Sequence, residues 1–195
     1  ITSINDNFGS QTGTVAKGGT TDDLTPTVIG TLGGATAGTA LASDESLVVY
    51  RSPDMTGAVS QTQVNNTPGQ IPSGYSKLTY NVIDGGYAAN IYLPTAPNAG
   101  DIVEVVRTST YSFNVYSGST LLTQPKVNES VYYQWDGSNW VNALVKVGNA
   151  TVTVNAGGQS TWTIDDTTNT TAYNTQVRYL ARVEDTAGNI GSAAL

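Results

Sequence analysis

Asp6, Asp22, Asp23 and Asp185 are the residues of this sequence best suited to chemistry, because histidine and cysteine are both absent from its 195 residues. Without an imidazole or a thiol, the chain lacks the usual general bases, nucleophiles and transition-metal ligands. Carboxylates remain, as acids or bases and as hard oxygen donors, and calcium draws about six to eight such oxygens from flexible loops. If the strands that carry them belong to one sandwich, Asn5 to Asn7, Asp22-Asp23 and Asp185 to Asn189 meet at one end. That makes Asp6, Asp22, Asp23, Asp185 and Asn189 the candidate calcium ligands. The competing reading makes Asp185 and Asn189 a capped turn and Asp22-Asp23 a solvated loop. Glycoside hydrolysis would need two carboxylates across a cleft. The acids here mostly adjoin Gly, Asn or Ser in turns, so no such pair is placed, and the chain reads as noncatalytic.

Aromatic residues form the second constellation, eleven tyrosines against three tryptophans and two phenylalanines. Tyrosine and tryptophan bury apolar area while keeping a polar handle, which suits binding surfaces. Many fall between residues 87 and 140, where Tyr87, Tyr92, Tyr111, Tyr116, Tyr132, Tyr133, Trp135 and Trp140 are all rings that a sugar or peptide could meet, with Asn139 and Asp136 beside them. Tyr111, Tyr132 and Trp140, with Asn139 as a hydrogen-bonding partner, are the candidate contacts for a sugar or peptide. For each ring a place in the core is the competing reading. Alternation predicts that Tyr133 and Trp135 share one face, with Tyr132 and Gln134 on the other.

The elements that must position these groups are strands. Val177 to Val183 alternates apolar and polar residues and breaks at Asp185-Thr-Ala-Gly-Asn189, which predicts a late strand with one face on a core and a short closing strand after it. Leu24 to Gly30 is a predicted strand whose Pro26 argues for an edge position. Leu47 to Tyr50 and Ala150 to Asn155 have the same character but lie about half the chain apart. Between them come short β runs and turn signals such as Asp84-Gly85-Gly86, with no stretch of helical period. The prediction is an all-β chain in which a discontinuous sandwich, residues 1–52 and 147–195, is interrupted by a small antiparallel β domain, residues 53–146. Exposed loop tips tolerate such insertions.

Ile1-Thr-Ser-Ile-Asn-Asp-Asn7, Gly19 to Thr27 and Asp185-Thr-Ala-Gly-Asn189 together resemble the Ig-like extender modules of giant bacterial RTX-type surface adhesins. The long separation of the motifs resembles the split modules of that family, which carry a second domain in a loop. The resemblance implies an Ig-like sandwich, calcium at the end where the aspartates lie, neighbouring Ig-like modules as partners, and a place on the bacterial cell surface in adhesion or biofilm. Ile91-Tyr-Leu-Pro94 through Glu104 and Tyr133-Gln-Trp-Asp-Gly-Ser-Asn-Trp140 are similar to β modules of phage tail fibres. On these grounds the chain is expected to be a monomeric segment of a cell-surface adhesin, with an insert that binds a glycan or peptide. A structural stalk spacer and a phage or pilus appendage module are the alternatives.

Composition narrows the partners further. The formal charge is −7 and only 12% of residues are charged, so clustered Lys and Arg for duplex nucleic acid are missing. No apolar run is long enough to span a bilayer as a helix. Ile1 in the first position suggests a fragment of a longer chain.

Overall fold

The computed structural model describes residues 1–9, 12–19, 21–32, 40–63, 69–83, 90–168 and 177–190. The predicted turn at 84–86, Tyr87, and the closing segment beyond Ile190 lie outside the described residues. The fold is all-β, and among the described residues there is no helix. In chain order the strands are β1 (Ser3–Asp6), β2 (Gly13–Thr14), β3 (Thr27–Leu32) and β4 (Glu45–Pro53). Then come β5 (Val59–Thr62), β6 (Gly69–Gln70), β7 (Lys77–Val82), β8 (Asn90–Tyr92), β9 (Ile102–Arg107), β10 (Asn114–Ser117), β11 (Thr120–Thr123), β12 (Ser130–Trp135) and β13 (Trp140–Asn142). The last four are β14 (Val145–Asn149), β15 (Thr151–Thr153), β16 (Ser160–Asp165) and β17 (Val177–Asp185). They form two compact units, Ile1–Ser52 with Val145–Leu195, and Pro53–Leu144.

The first unit holds a five-stranded sheet, β15-β16-β3-β1-β2, and a three-stranded one, β14-β4-β17. Val28, Leu32 and Trp162 from the first meet Leu47, Val49 and Tyr179 from the second, with Ala181 and Val183 continuing the face that alternation predicted for β17. Gly30 lies opposite Trp162 in the ladder. A Cβ there would stand 2.2 Å from Trp162 Cζ2, so only glycine leaves room for the indole. The expected edge position of the Pro26 strand is not found, since β3 lies between β16 and β1. Pro26 precedes the strand and costs it no ladder donor, while its carbonyl accepts from Asp166 N–H at 3.1 Å.

Asp166 is the polar centre of this core, fully buried. Its Oδ2 accepts from Arg51 Nη1 and from the Tyr179 hydroxyl, each at 2.7 Å. Its Oδ1 accepts the Thr168 hydroxyl at 2.7 Å and the Thr168 N–H at 3.0 Å. A buried charge persists only when it is paired and hydrogen-bonded in this way. On the β14-β4-β17 sheet Glu184 Oε1 accepts from the Tyr50 hydroxyl and from Arg182 Nε, each at 2.6 Å, while the Arg182 guanidinium lies 4.4 Å from the Tyr50 ring centroid.

The two ends of the first unit's interruption are ladder neighbours. β14 pairs antiparallel with β4, Val145 opposite Arg51 and Lys146 opposite Tyr50. Directly opposed residues stand about 5 Å apart, so Ser52 and two added residues, a three-residue hairpin loop, span the gap that residues 53–144 now fill. Replacing those residues by Asn-Gly between Ser52 and Val145 is expected to give a chain with a cooperative melt and a buried, blue-shifted Trp162 emission. A spectrum of an unfolded chain would refute this.

The Pro53–Leu144 unit is also two sheets, β13-β12-β9-β7-β5 and β11-β10-β8-β6. It departs from the antiparallel domain expected. β5, β7 and β9 run parallel in one sheet, and β6, β8 and β10 run parallel in the other. From β5 to β10 successive strands alternate between the sheets, so the chain winds around its core. Among the described residues antiparallel pairing is confined to β10 with β11, β9 with β12 and β12 with β13. Gly, Asn and Pro mark a crossover as readily as a hairpin. Parallel neighbours need a long connection, supplied here by a strand of the opposite sheet in place of a helix. Leu78, Val103 and Val105 meet Ile91 and Val115 inside, with Tyr133 and Trp140 at the same core.

Candidate functional site

The acidic end of the first unit is a set of tight turns. Asp6 Oδ1 accepts Phe8 N–H at 2.9 Å and its Oδ2 accepts the Thr21 hydroxyl at 2.7 Å. These donors, the Thr21 hydroxyl foremost, hold the Asp6 carboxyl below the usual carboxylate range. Asp23 Oδ1 takes the N–H and hydroxyl of Thr25, and Oδ2 takes Asn7 N–H at 2.8 Å. Asp22 is exposed beside Gly9. Asp185 and Asn189 do not join them, against the expected convergence. Thr186 N–H donates to Asp44 O just before β4 begins, whereas Arg51 late in β4 and Tyr179 early in β17 reach Asp166 at the Asp6 end. At that far end Asp185 Oδ1 and Oδ2 accept the backbone and side-chain nitrogens of Asn189 at 2.7 and 2.8 Å.

An open cavity of about 320 Å³ adjoins this region, lined by Asn7, Phe8, Asp23, Thr25, Thr27, Asp165 and Thr167. Within it Thr27 donates to Asp165 Oδ1 at 2.6 Å and accepts from Asn7 Nδ2 at 2.7 Å. The Thr27 hydroxyl thus bridges two strands, while the Thr25 hydroxyl donates to Asp23 Oδ1 at 3.1 Å within its own turn.

A calcium site built from all five predicted ligands does not fit this arrangement. Among the described residues no three carboxylates gather at metal-binding spacing. The N–H and O–H donors supply the positive charge that a cation would otherwise bring. Asp23→Ala is therefore expected to lower the melting stability by about 1–3 kcal/mol through orphaned donors. The loss should be equal in millimolar calcium and in EDTA; a calcium-dependent melt of the intact chain that Asp23→Ala removes would restore the metal reading.

In the second unit the predicted contacts separate. Tyr132 is buried, and its hydroxyl donates to Glu104 Oε1 at 2.7 Å. Trp140 is buried too, its Nε1 donating to Pro94 O at 3.1 Å. Both are corrected from ligand contacts to interior groups, because each polar tip already has a partner inside. Asn139 gives its backbone N–H to Asp136 Oδ1 at 2.7 Å and so belongs to a turn. That N–H, with Ser138 N–H, holds the Asp136 carboxyl low. Tyr111 stands exposed. Tyr133 and Trp135 share the core face, as alternation predicted.

Another aromatic face lies on β11-β10-β8-β6. Ile91 and Val115 point fully into the core. Tyr92, Tyr116, Asn90 and Asn114, one residue away on the same strands, therefore point outward. Register puts Gln70 opposite Tyr92, Tyr92 opposite Tyr116, and Tyr116 opposite Leu121, one row across four strands. The two rings stack at 5.5 Å with 26° between their planes. Asn90 pairs with Asn114 in the next row and donates to the Tyr92 hydroxyl at 3.3 Å. The signal was present as matched tyrosines in two alternating runs, Ile91-Tyr92 and Val115-Tyr116. Parallel register was needed to bring them together.

Fold and face define an all-β chain of two sandwiches. Residues 76–144, less than half of the chain and inside the second unit, match the family model of the β-sandwich domain of the metalloprotease StcE. Among solved structures, enterohemorrhagic E. coli StcE(132-251) is similar at 21% identity, covering 35% of this chain and 63% of that one, with a TM-score of 0.32. A chaperone-substrate complex is similar at 17% identity, covering 43% of this chain and 15% of that one, with a TM-score of 0.39. A search of curated proteins finds no match.

Proposed function

We propose that this chain is a noncatalytic module of a bacterial cell-surface adhesin. The Ile1–Ser52 and Val145–Leu195 sandwich serves as an Ig-like link to neighbouring modules, and the Pro53–Leu144 sandwich serves recognition of an extracellular partner. The observation that carries the reading is the stacked Tyr92–Tyr116 pair on an outward sheet face. Paired rings with amides alongside suit a binding surface, whereas a spacer has no use for them. The lack of histidine and cysteine supports a noncatalytic role. The match to a metalloprotease's β-sandwich domain favours a second reading, an accessory domain of a larger secreted enzyme. Both readings make the same demand of this chain, that it bind and not react. The test is to display the chain on glycan and peptide arrays at high micromolar concentration. Retention of defined ligands supports recognition; an empty array at that concentration makes the chain a stalk spacer.

A further inference from the structure

The outward face of the β11-β10-β8-β6 sheet is chemically uniform. Gln70, Tyr92, Tyr116 and Leu121 form one row, and Asn90 and Asn114 the next. None of these six carries a charge at neutral pH, although the chain as a whole has a formal charge of −7. Four strands at about 4.8 Å spacing give a row roughly 14 Å long. Leu121 at its end is 55% exposed. Among the described residues no hydrogen bond holds the Asn114 amide or the Tyr116 hydroxyl.

We infer that this row is the binding site of an uncharged oligosaccharide lying across the strands. The inference rests on the recognition reading given above and names its ligand class. A sugar ring offers an apolar C–H face and a rim of hydroxyls that both donate and accept. Aromatic rings receive the first, and the Asn114 amide, with a donor and an acceptor on one plane, receives the second together with the side-chain carbonyls of Gln70 and Asn90, whose amide nitrogens are held by backbone carbonyls and by the Tyr92 hydroxyl. An extended peptide adds to a sheet edge, whereas these groups lie on the face. Sialylated, sulfated or phosphorylated ligands call for Arg or Lys, which the two rows lack, and the acidic chain repels them.

Arrays of neutral, sialylated and sulfated oligosaccharides and of peptides, followed by calorimetry of the full chain with each retained ligand, provide the test. The expected result is retention of neutral oligosaccharides, with a Kd unchanged between about 0.05 and 0.5 M salt. Tyr92→Ala or Tyr116→Ala should each weaken binding about tenfold, and the pair together should abolish it. Leu121→Arg, at an exposed position that perturbs no core, should also weaken binding and covers the case in which the tyrosine variants fold poorly. Retention of acidic glycans alone with salt-dependent affinity, or of peptides alone, overturns the sugar assignment and leaves the recognition reading standing. Neutral-sugar binding unaffected by all three substitutions overturns the placement on this face. Retention of nothing overturns both the inference and the recognition reading.

Discussion

Asp166→Ala is expected to destabilise the Ile1–Ser52 and Val145–Leu195 sandwich by about 3–5 kcal/mol, because it leaves the buried Arg51 guanidinium without its counter-charge. The same change strips the Tyr179 and Thr168 donors of their acceptor. Replacing both ions, Arg51→Met with Asp166→Leu, should cost much less than Asp166→Ala alone, since no unpaired charge then remains. Trp162 lies in this unit but Trp135 and Trp140 lie in the other, so hydrogen exchange at the amides of β3 and β16 reads the loss for this unit alone. A double variant as unstable as the single one would mean that the pair is held by geometry rather than by charge.

Acid should reproduce part of this effect. Burial pushes the Asp166 carboxyl up, but the Thr168 and Tyr179 hydrogen bonds and the Arg51 charge outweigh it and leave the carboxyl below its ordinary value. A carboxylate whose folded pKa is depressed contributes stability that is complete above the unfolded pKa of about 3.9 and disappears as pH falls through the folded value. Glu184 acts in the same direction, its burial outweighed by the Tyr50 hydroxyl and Arg182. The melting temperature should be flat from neutrality to about pH 5 and fall below about pH 4. Asp166→Asn should flatten the fall while lowering the plateau.

How much of this was legible in the sequence depended on whether the signal was local. β17 and β12 announced themselves by alternation, and the faces assigned to Tyr179, Tyr133 and Trp135 follow from it. Sheet membership is not local. The runs that became β7 to β10 looked like consecutive hairpins, yet each crosses to the opposite sheet, and nothing in a Gly- or Asn-rich connection states which partner the next strand will take. The candidate sites inherited that limit. Tyr132 and Trp140 were singled out by residue type, but burial is decided by what packs above them. The Tyr92–Tyr116 pair became visible once parallel register set Asn90 against Asn114 and Tyr92 against Tyr116. Asp166 drew no notice because its partner Arg51 lies 115 positions away.

Trp140→Ala is expected to cost the Pro53–Leu144 sandwich about 3–5 kcal/mol, the usual toll of removing a large aromatic from a packed core. The indole is 5% exposed and stands edge-on to Trp135 with ring centroids 5.7 Å apart. Its removal opens a cavity and leaves Pro94 O without the indole N–H that donates to it at 3.1 Å. Trp140→Phe keeps much of the volume and loses the hydrogen bond, so it should cost less than Trp140→Ala. Hydrogen exchange resolves the two units, and the increase in exchange should centre on β9, β12 and β13 while amides of β3 and β16 keep their protection. This experiment separates the two roles that tryptophan type alone left open. A ring that served a ligand would lose binding and leave exchange unchanged, whereas a core ring loses protection first, and any binding at Tyr92 and Tyr116 only through unfolding. Near-native protection in Trp140→Ala would return Trp140 to the surface and undo its assignment to the core.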